Sequence, residues 1–350
     1  MQHRFRVAYR RLTAAAGLAA IVAATAAMAG AANSPVNGKI SFTRYDENFM
    51  PQVWVANPDF TNAVKVGPAG PPGSAGGGLY TDWSPDGKRI AFDSDMLAPG
   101  TELVDVFTMK PDGTDVIRLT GAPGDLPGFN GEPSYSPNGK LIAFEHDDAD
   151  TAKSGIWVMR ADGSGKRQLT AHPGAGYDLT PRFSPDGKKI AFSRHNEPDP
   201  GRHGKKHDQL TGAVHIVNVD GEDLHRITSW KLITDDVDWS PDGRWIVFAT
   251  EPTDVFVRTT DVFVVKPNGD GLRNLTQNPV GMSGGYLHWS SHPSWSPDGS
   301  RILYLEEKWD GAGDYQTDFW SIGPDGSNKA VALASPEIED EASWGTAPAS

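Results

Sequence analysis

The sequence predicts an all-β chain, a six-bladed β-propeller whose first blade is closed by the C-terminal strand. Three observations carry this expectation. One phrase recurs five times, as Trp83-Ser-Pro-Asp-Gly87, Tyr135-Ser-Pro-Asn-Gly139, Phe183-Ser-Pro-Asp-Gly187, Trp239-Ser-Pro-Asp-Gly243 and Trp295-Ser-Pro-Asp-Gly299. Its aromatic residues are 52, 48, 56 and 56 positions apart, a period that marks a repeat architecture. A partial copy at Asn37–Val66 lacks the aromatic segment, and the missing piece stands at the other end, in Glu341-Ala-Ser-Trp344.

Each copy justifies four strands. The aromatic ends the first. Ser-Pro-Asp/Asn-Gly then turns the chain, with Pro presetting one corner and Gly taking the positive φ. A second strand follows, for example Arg89-Ile-Ala-Phe92, Leu141-Ile-Ala-Phe144 or Trp245-Ile-Val-Phe248. The third is Asp105-Val-Phe-Thr-Met109 and its counterparts, such as Gly155-Ile-Trp-Val-Met159. A second turn comes next, such as Pro111-Asp-Gly113 or Pro324-Asp-Gly326, and a short fourth segment closes on Leu119-Thr120, Leu169-Thr170, Ile227-Thr228 or Leu275-Thr276. The runs are too short for helices and rich in β-branched and aromatic residues. One such sheet cannot bury both of its faces, so the copies must stack, with the inner aromatic as the wedge between neighbours. Trp344 falls 49 residues after Trp295, where the next aromatic belongs, so ring closure is the economical arrangement.

The expected divisions are a secretory signal peptide over residues 1–32 and a propeller over 33–350. Blade 1 is split between 36–67 and 341–346, and blades 2 to 6 fall near 79–120, 131–170, 179–228, 235–276 and 291–334. The leader reading rests on Arg4, Arg6, Arg10 and Arg11 before an alanine-rich apolar run and a small-x-small site at Ala27-Met28-Ala29. The chain has no cysteine, which excludes a disulfide framework and a lipobox anchor. Without the four leader arginines, 28 Lys+Arg stand against 45 Asp+Glu, a net charge of −17. Such a surface disfavours nucleic acid and anionic lipid and admits cationic or neutral partners.

The Trp239-Ser-Pro-Asp-Gly-Arg-Trp-Ile-Val-Phe248 pattern, repeated over nearly the whole mature chain, resembles the WD40-like repeats of TolB-type propellers (the PD40 type). The resemblance implies a six-bladed fold and an exported, periplasmic or extracellular setting. It does not carry over the α/β domain that TolB places before its propeller, nor the hydrolase domain of prolyl-oligopeptidase-like enzymes. Related repeats also occur in oligogalacturonate lyases.

Function is expected at the channel mouth, on the face of the interblade loops and of the loops between second and third strands. Those loops vary in length here, and variable loops on a regular scaffold are where sites form. The positions one and three residues before each aromatic should face the channel. They supply Tyr80, Asp82, Glu132, Arg182, Asp236, Asp238, His292 and Glu341, an acidic funnel with one arginine and one histidine set in it. Such a funnel suits a protein or peptide ligand, or a carbohydrate; a divalent cation such as calcium also fits its charge.

The first functional reading is an exported, monomeric, non-catalytic binding or scaffold propeller without a resident cofactor and without a membrane span in the mature chain. The second is a carbohydrate-active enzyme, lyase or hydrolase, using His292 and the carboxylates. Three other patterns read as structural. His195, His203 and His207 share a Gly/Pro loop with Arg202, Lys205 and Lys206, cations that oppose a metal. His146, Asp147, Asp148 and Asp150 read as a solvated acidic loop. Gly281-Met-Ser-Gly-Gly285 matches the Gly-x-Ser-x-Gly pattern but lacks the strand-to-helix context that a nucleophile elbow needs.

Overall fold

The structure is a computed structural model that describes residues 37–67, 78–97, 103–122, 125–172, 176–196, 211–250 and 260–346. The expected leader over 1–32 lies outside the described residues, as do His203 and His207. Among the described residues no helix is long and apolar enough to cross a membrane.

Six four-stranded antiparallel sheets form the ring. Blade 1 holds β1 (Asn37–Tyr45), β2 (Pro51–Ala56) and β3 (Val64–Lys65). Blade 2 is β4 (Thr81–Trp83), β5 (Ile90–Ser94), β6 (Asp105–Met109) and β7 (Ile117–Arg118). Blade 3 is β8 (Phe129–Tyr135), β9 (Leu141–Asp147), β10 (Gly155–Arg160) and β11 (Arg167–Gln168). Blade 4 is β12 (Gly176–Phe183), β13 (Lys189–Asn196), β14 (Thr211–Asn218) and β15 (His225–Arg226). Blade 5 is β16 (Thr234–Trp239), β17 (Ile246–Thr250), β18 (Val262–Val265) and β19 (Arg273–Asn274). Blade 6 is β20 (Leu287–Trp295), β21 (Ile302–Trp309), β22 (Tyr315–Ile322) and β23 (Ala330–Ala334). The last strand, β24 (Glu339–Thr346), returns to pair with β1 and becomes the inner strand of blade 1, as expected.

The repeat residues have separate local tasks. In the first turn the Ser84 hydroxyl donates to the Asp86 carboxylate (2.8 Å) and accepts the Arg89 N–H (2.9 Å). The same Asp86 carboxylate accepts the Lys88 N–H (3.1 Å), and Gly87 sits at φ 66°. The turn is therefore satisfied by its own side chains. The closing Leu-Thr is a second device. Thr120, Thr170, Thr228 and Thr276 each accept, through the hydroxyl, the N–H of a residue on the third strand of their own blade. They hold the short outer strand in place with one side-chain bond.

Packing follows from the stacking argument. Phe42, Phe92, Phe144, Phe192, Phe248 and Tyr304, one per second strand, are all fully buried. The apolar core is divided into six clusters, one between each pair of neighbouring blades. The inner aromatics are the wedges: Trp83 packs on Val53 and Val55 of blade 1, and Trp239 packs on Val214 and Ile216 of blade 4.

Closure adds contacts that the other five blades do not need. Blade 1 has no first turn of its own, because its inner strand comes from the far end of the chain. Asn37 takes that place by exchanging two hydrogen bonds with Asp298 of the blade 6 turn (3.2 and 3.1 Å). Thr346 donates to the Pro85 carbonyl of the blade 2 turn (2.8 Å). Arg44 pairs with the buried Glu339 (2.8 Å) while stacking over Trp54. Gly345 is required here, because a Cβ would meet the Trp83 ring at 2.9 Å and the Lys39 carbonyl at 3.0 Å.

Deleting residues 336–350 removes β24 and both of its interfaces. The melting temperature, followed by circular dichroism, is expected to fall by more than about 10 °C or the cooperative transition to vanish. An unchanged transition would contradict closure by this strand.

Candidate functional site: the central channel

The inner strands β4, β8, β12, β16, β20 and β24 surround a central channel. A cavity of about 410 Å³ occupies it. It is walled by side chains of all six blades and reaches the prolines of the first turns, Pro85, Pro137, Pro185, Pro241 and Pro297. A second cavity of about 80 Å³ lies between Tyr45, Leu79, Tyr80, His292, Asp340 and Glu341, toward the variable loops. The sequence reading placed the site at the loop-face mouth. The larger space instead extends to the opposite face, where the Ser-Pro-Asp-Gly turns form its rim.

The channel-facing expectation can be followed residue by residue. Asp82, Arg182, Asp236, Asp238, His292 and Glu341 line the larger cavity, and His292 and Glu341 line both. Tyr80 faces the smaller one, its ring 6.3 Å from that of His292. Glu132 lines neither. It is buried, and its carboxylate accepts the Thr180 N–H of the next blade. Sequence spacing located the position, but a neighbouring blade engages the side chain.

The reason lies in the backbone. Four inner strands carry a register shift just before the aromatic, at Gly131/Ser134, Leu179/Arg182, Asp235/Asp238 and Ser291/Ser294. In each the residue three before the aromatic takes a left-handed conformation: Glu132 at φ 55°, Thr180 at 51°, Asp236 at 49° and His292 at 50°. Each such residue costs about 1–2 kcal/mol. Its N–H is matched by a carboxylate of the preceding blade in three cases: Glu132 by Asp93 (3.0 Å), Thr180 by Glu132, and His292 by Asp236 (3.3 Å). A hydrogen bond to a charged acceptor contributes about 1.5–3 kcal/mol, enough to offset the strain. The residue just before the aromatic repeats the device. Asp82 accepts the Tyr135 N–H (2.6 Å) and Asp238 accepts the Trp295 N–H (2.7 Å).

Arg182 is the cation of this ring. It reaches from blade 4 to the diametrically opposite blade 1, where it pairs with Glu341 (3.5 Å). Burial pushes the Asp82 and Asp238 carboxyls up to about 6, against the pull of Arg182 and of the N–H groups they accept. Burial also drives Glu341 well above the ordinary carboxylate range, with Arg182 giving only partial relief. His292 moves up as well. Burial opposes its charge, but Asp236 (3.6 Å), Asp340 (3.4 Å) and the more distant Glu307 and Glu132 outweigh it. Asp340 and Glu307 were not anticipated. Asp340 lies one residue outside the inner positions singled out by spacing, and Glu307 comes from a second strand.

The remaining sequence patterns fall outside the channel. His195 is fully buried rather than in a loop, with Nε2 2.6 Å from the Thr234 carbonyl oxygen. His146 is also fully buried, against Asn130 (2.9 Å), and the Asp148 side chain is largely buried beside it (3.8 Å), so of the expected solvated loop only Asp150 is exposed. Ser283, the serine of the Gly-x-Ser-x-Gly match, sits in a tight turn with Tyr286 and no helix follows it. Among the described residues no three His, Asp or Glu side chains converge to hold a metal.

A family model for the TolB beta propeller domain matches residues 121–347. The chain belongs to the TolB beta propeller family. An uncharacterized protein of Agrobacterium fabrum is 24% identical to this propeller over 225 residues, which cover 64% of each chain. TolB from Acinetobacter baumannii superposes with a TM-score of 0.63 at 20% identity, over 88% of this chain and 66% of that one. An oligogalacturonate lyase in complex with manganese gives a TM-score of 0.50 at 13% identity, over 85% and 74%. This TolB-like propeller thus spans about two thirds of the first two relatives. At these identities the two solved structures speak to the fold alone.

Two outcomes follow from the stapled channel. Asp238→Ala strands the Trp295 N–H and is expected to cost about 1–3 kcal/mol in denaturant unfolding, while Asp238→Asn keeps an acceptor and costs less. Equal losses would show that the carboxylate is not a staple. The second outcome concerns pH. The folded chain holds the Asp82 and Asp238 protons more tightly than the unfolded chain, so their contribution to stability falls as pH rises from about 4 through about 6. His292, raised in the fold, acts in the same direction. The melting temperature should be higher near about pH 5 than near about pH 7.5, and Asp82→Asn with Asp238→Asn should flatten the difference. A protein more stable at the higher pH would contradict these assignments.

Proposed function

We propose that this chain is an exported, non-catalytic binding propeller whose loop face docks a protein partner at the acidic channel mouth. The observation that carries the reading is the pairing of charge with exposed apolar surface on that face. Phe49, in the loop between β1 and β2, is 46% exposed; Val280 and Met282, in the loop between blades 5 and 6, are 78% and 59% exposed. These loops leave the ring on the same side as the mouth formed by Tyr45, Tyr80, His292 and Asp340. Exposed apolar side chains gathered on one face beside charged groups mark a docking surface. The basic, apolar N-terminus supports the exported setting. The fold likeness to TolB is consistent with it.

The enzymatic alternative rests on the likeness to the oligogalacturonate lyase. The described residues do not form a manganese-type donor set, so no catalytic step is assigned to them. Val280→Asp with Met282→Asp should leave the melting temperature unchanged. In pull-downs from the cell-envelope fraction, the pair should lose a protein that the unaltered chain retains. Identical retention by both would overturn the docking reading. Cleavage of oligogalacturonate in the presence of manganese would support the enzyme instead.

A further inference from the structure

We propose that Met282 is a site of reversible sulfoxidation by peroxide, and that its oxidation switches off the loop-face docking surface. The switch rests on the docking reading above; the oxidation site stands without it.

The chain offers a peroxide few sulfur targets. It has 7 methionines and no cysteine, so no thiol competes. Met1 and Met28 lie outside the described residues. Met109 and Met159 are fully buried, Met96 is 7% exposed and Met50 is half-buried. Met282 is 59% exposed. A thioether is oxidised only where the oxidant reaches its sulfur, so access ranks these side chains.

The turn around Met282 holds it in that exposed place. Ser283 and Tyr286 exchange backbone hydrogen bonds (2.7 and 3.1 Å), and the Tyr286 hydroxyl donates to Asp314 in the loop between β21 and β22 (2.7 Å). A Cβ added at Gly281, Gly284 or Gly285 would meet nothing within 4 Å, so no described element covers the loop. Met282 is therefore displayed by an anchored turn and has open space around it.

The step is a two-electron oxygen transfer. The Sδ lone pair attacks one peroxide oxygen, the O–O bond breaks, the S–O bond forms and water leaves. A dithiol-dependent sulfoxide reductase reverses it: the dithiol becomes a disulfide and the oxygen leaves as water. Oxidation replaces a flexible apolar side chain with a polar one. Met282 and Val280 flank Gly281, so the change falls on the apolar part of the docking surface, where Val280 is 78% exposed.

The test treats the purified full chain with hydrogen peroxide and maps its peptides by mass spectrometry. Met282 is expected to oxidise at least about tenfold faster than Met96, Met109 and Met159, and ahead of Met50. A methionine sulfoxide reductase with dithiothreitol should restore it. On phenyl-agarose the oxidised chain should elute ahead of the untreated chain, and Met282→Leu should abolish that peroxide-dependent shift. Equal rates at Met282 and at the buried methionines, or a shift that persists in Met282→Leu, would overturn the site. In the envelope-fraction pull-down the oxidised chain should lose the protein that the untreated chain retains and regain it after the reductase. Retention unchanged by oxidation would overturn the switch. If the untreated chain and the Val280→Asp, Met282→Asp chain retain the same proteins, the docking reading fails and the switch with it, while the peptide map still decides the oxidation site.

Discussion

One interaction recurs at three of the six blade interfaces, between blades 2 and 3, 3 and 4, and 5 and 6. A carboxylate on one blade accepts a backbone N–H from the inner strand of the next. Asp93 holds Glu132, Glu132 holds Thr180, Asp236 holds His292, Asp82 holds Tyr135 and Asp238 holds Trp295. Apolar clusters between blades supply most of the stabilisation, but they are non-directional. The staples fix how the inner strands of blades 3, 4 and 6 are turned. They also explain why left-handed backbone is tolerated at three of the four inner-strand positions, Glu132, Thr180 and His292, since the conformation presents the N–H that the neighbouring carboxylate takes.

This constraint has an electrostatic consequence. Staples built from carboxylates concentrate negative charge around the channel axis, and Arg182 is set among them. Its pairing with Glu341 across the full width of the ring couples blade 4 to blade 1, the blade that the C-terminal strand completes. The acidity of the channel is thus first a property of how the ring is tied. Any binding role uses charge already required for folding, which is why truncating these side chains tests stability and binding together.

The fold was legible because its determinants are local and repeated. Asp-Gly turns, β-branched runs and a fixed period each act within one blade, and Trp344 pointed to the closure by standing one repeat beyond Trp295 and supplying the aromatic that the first copy lacks. The channel-facing positions were legible for the same reason, since a spacing from the aromatic places them. What the sequence did not show is which neighbour each side chain meets. Glu132 shares its position with Asp236, yet it turns into the blade interface and lines neither cavity. His146 and His195 sit in polar stretches but are buried, because β9 and β13 run longer than the apolar pattern suggests. The proline rim was hidden by its own regularity: residues that read as pure turn formers also border the larger half of the channel.

The central claim is that the inner-strand staples hold the ring as one cooperative unit. Native-state hydrogen exchange of the amides of Tyr135, Thr180, His292 and Trp295 tests it most directly. If the staples are as described, these four amides exchange only through global unfolding, with protection matching the stability of the whole ring. Exchange of any of them through low-energy local opening, while the second-strand amides stay protected, would contradict the account.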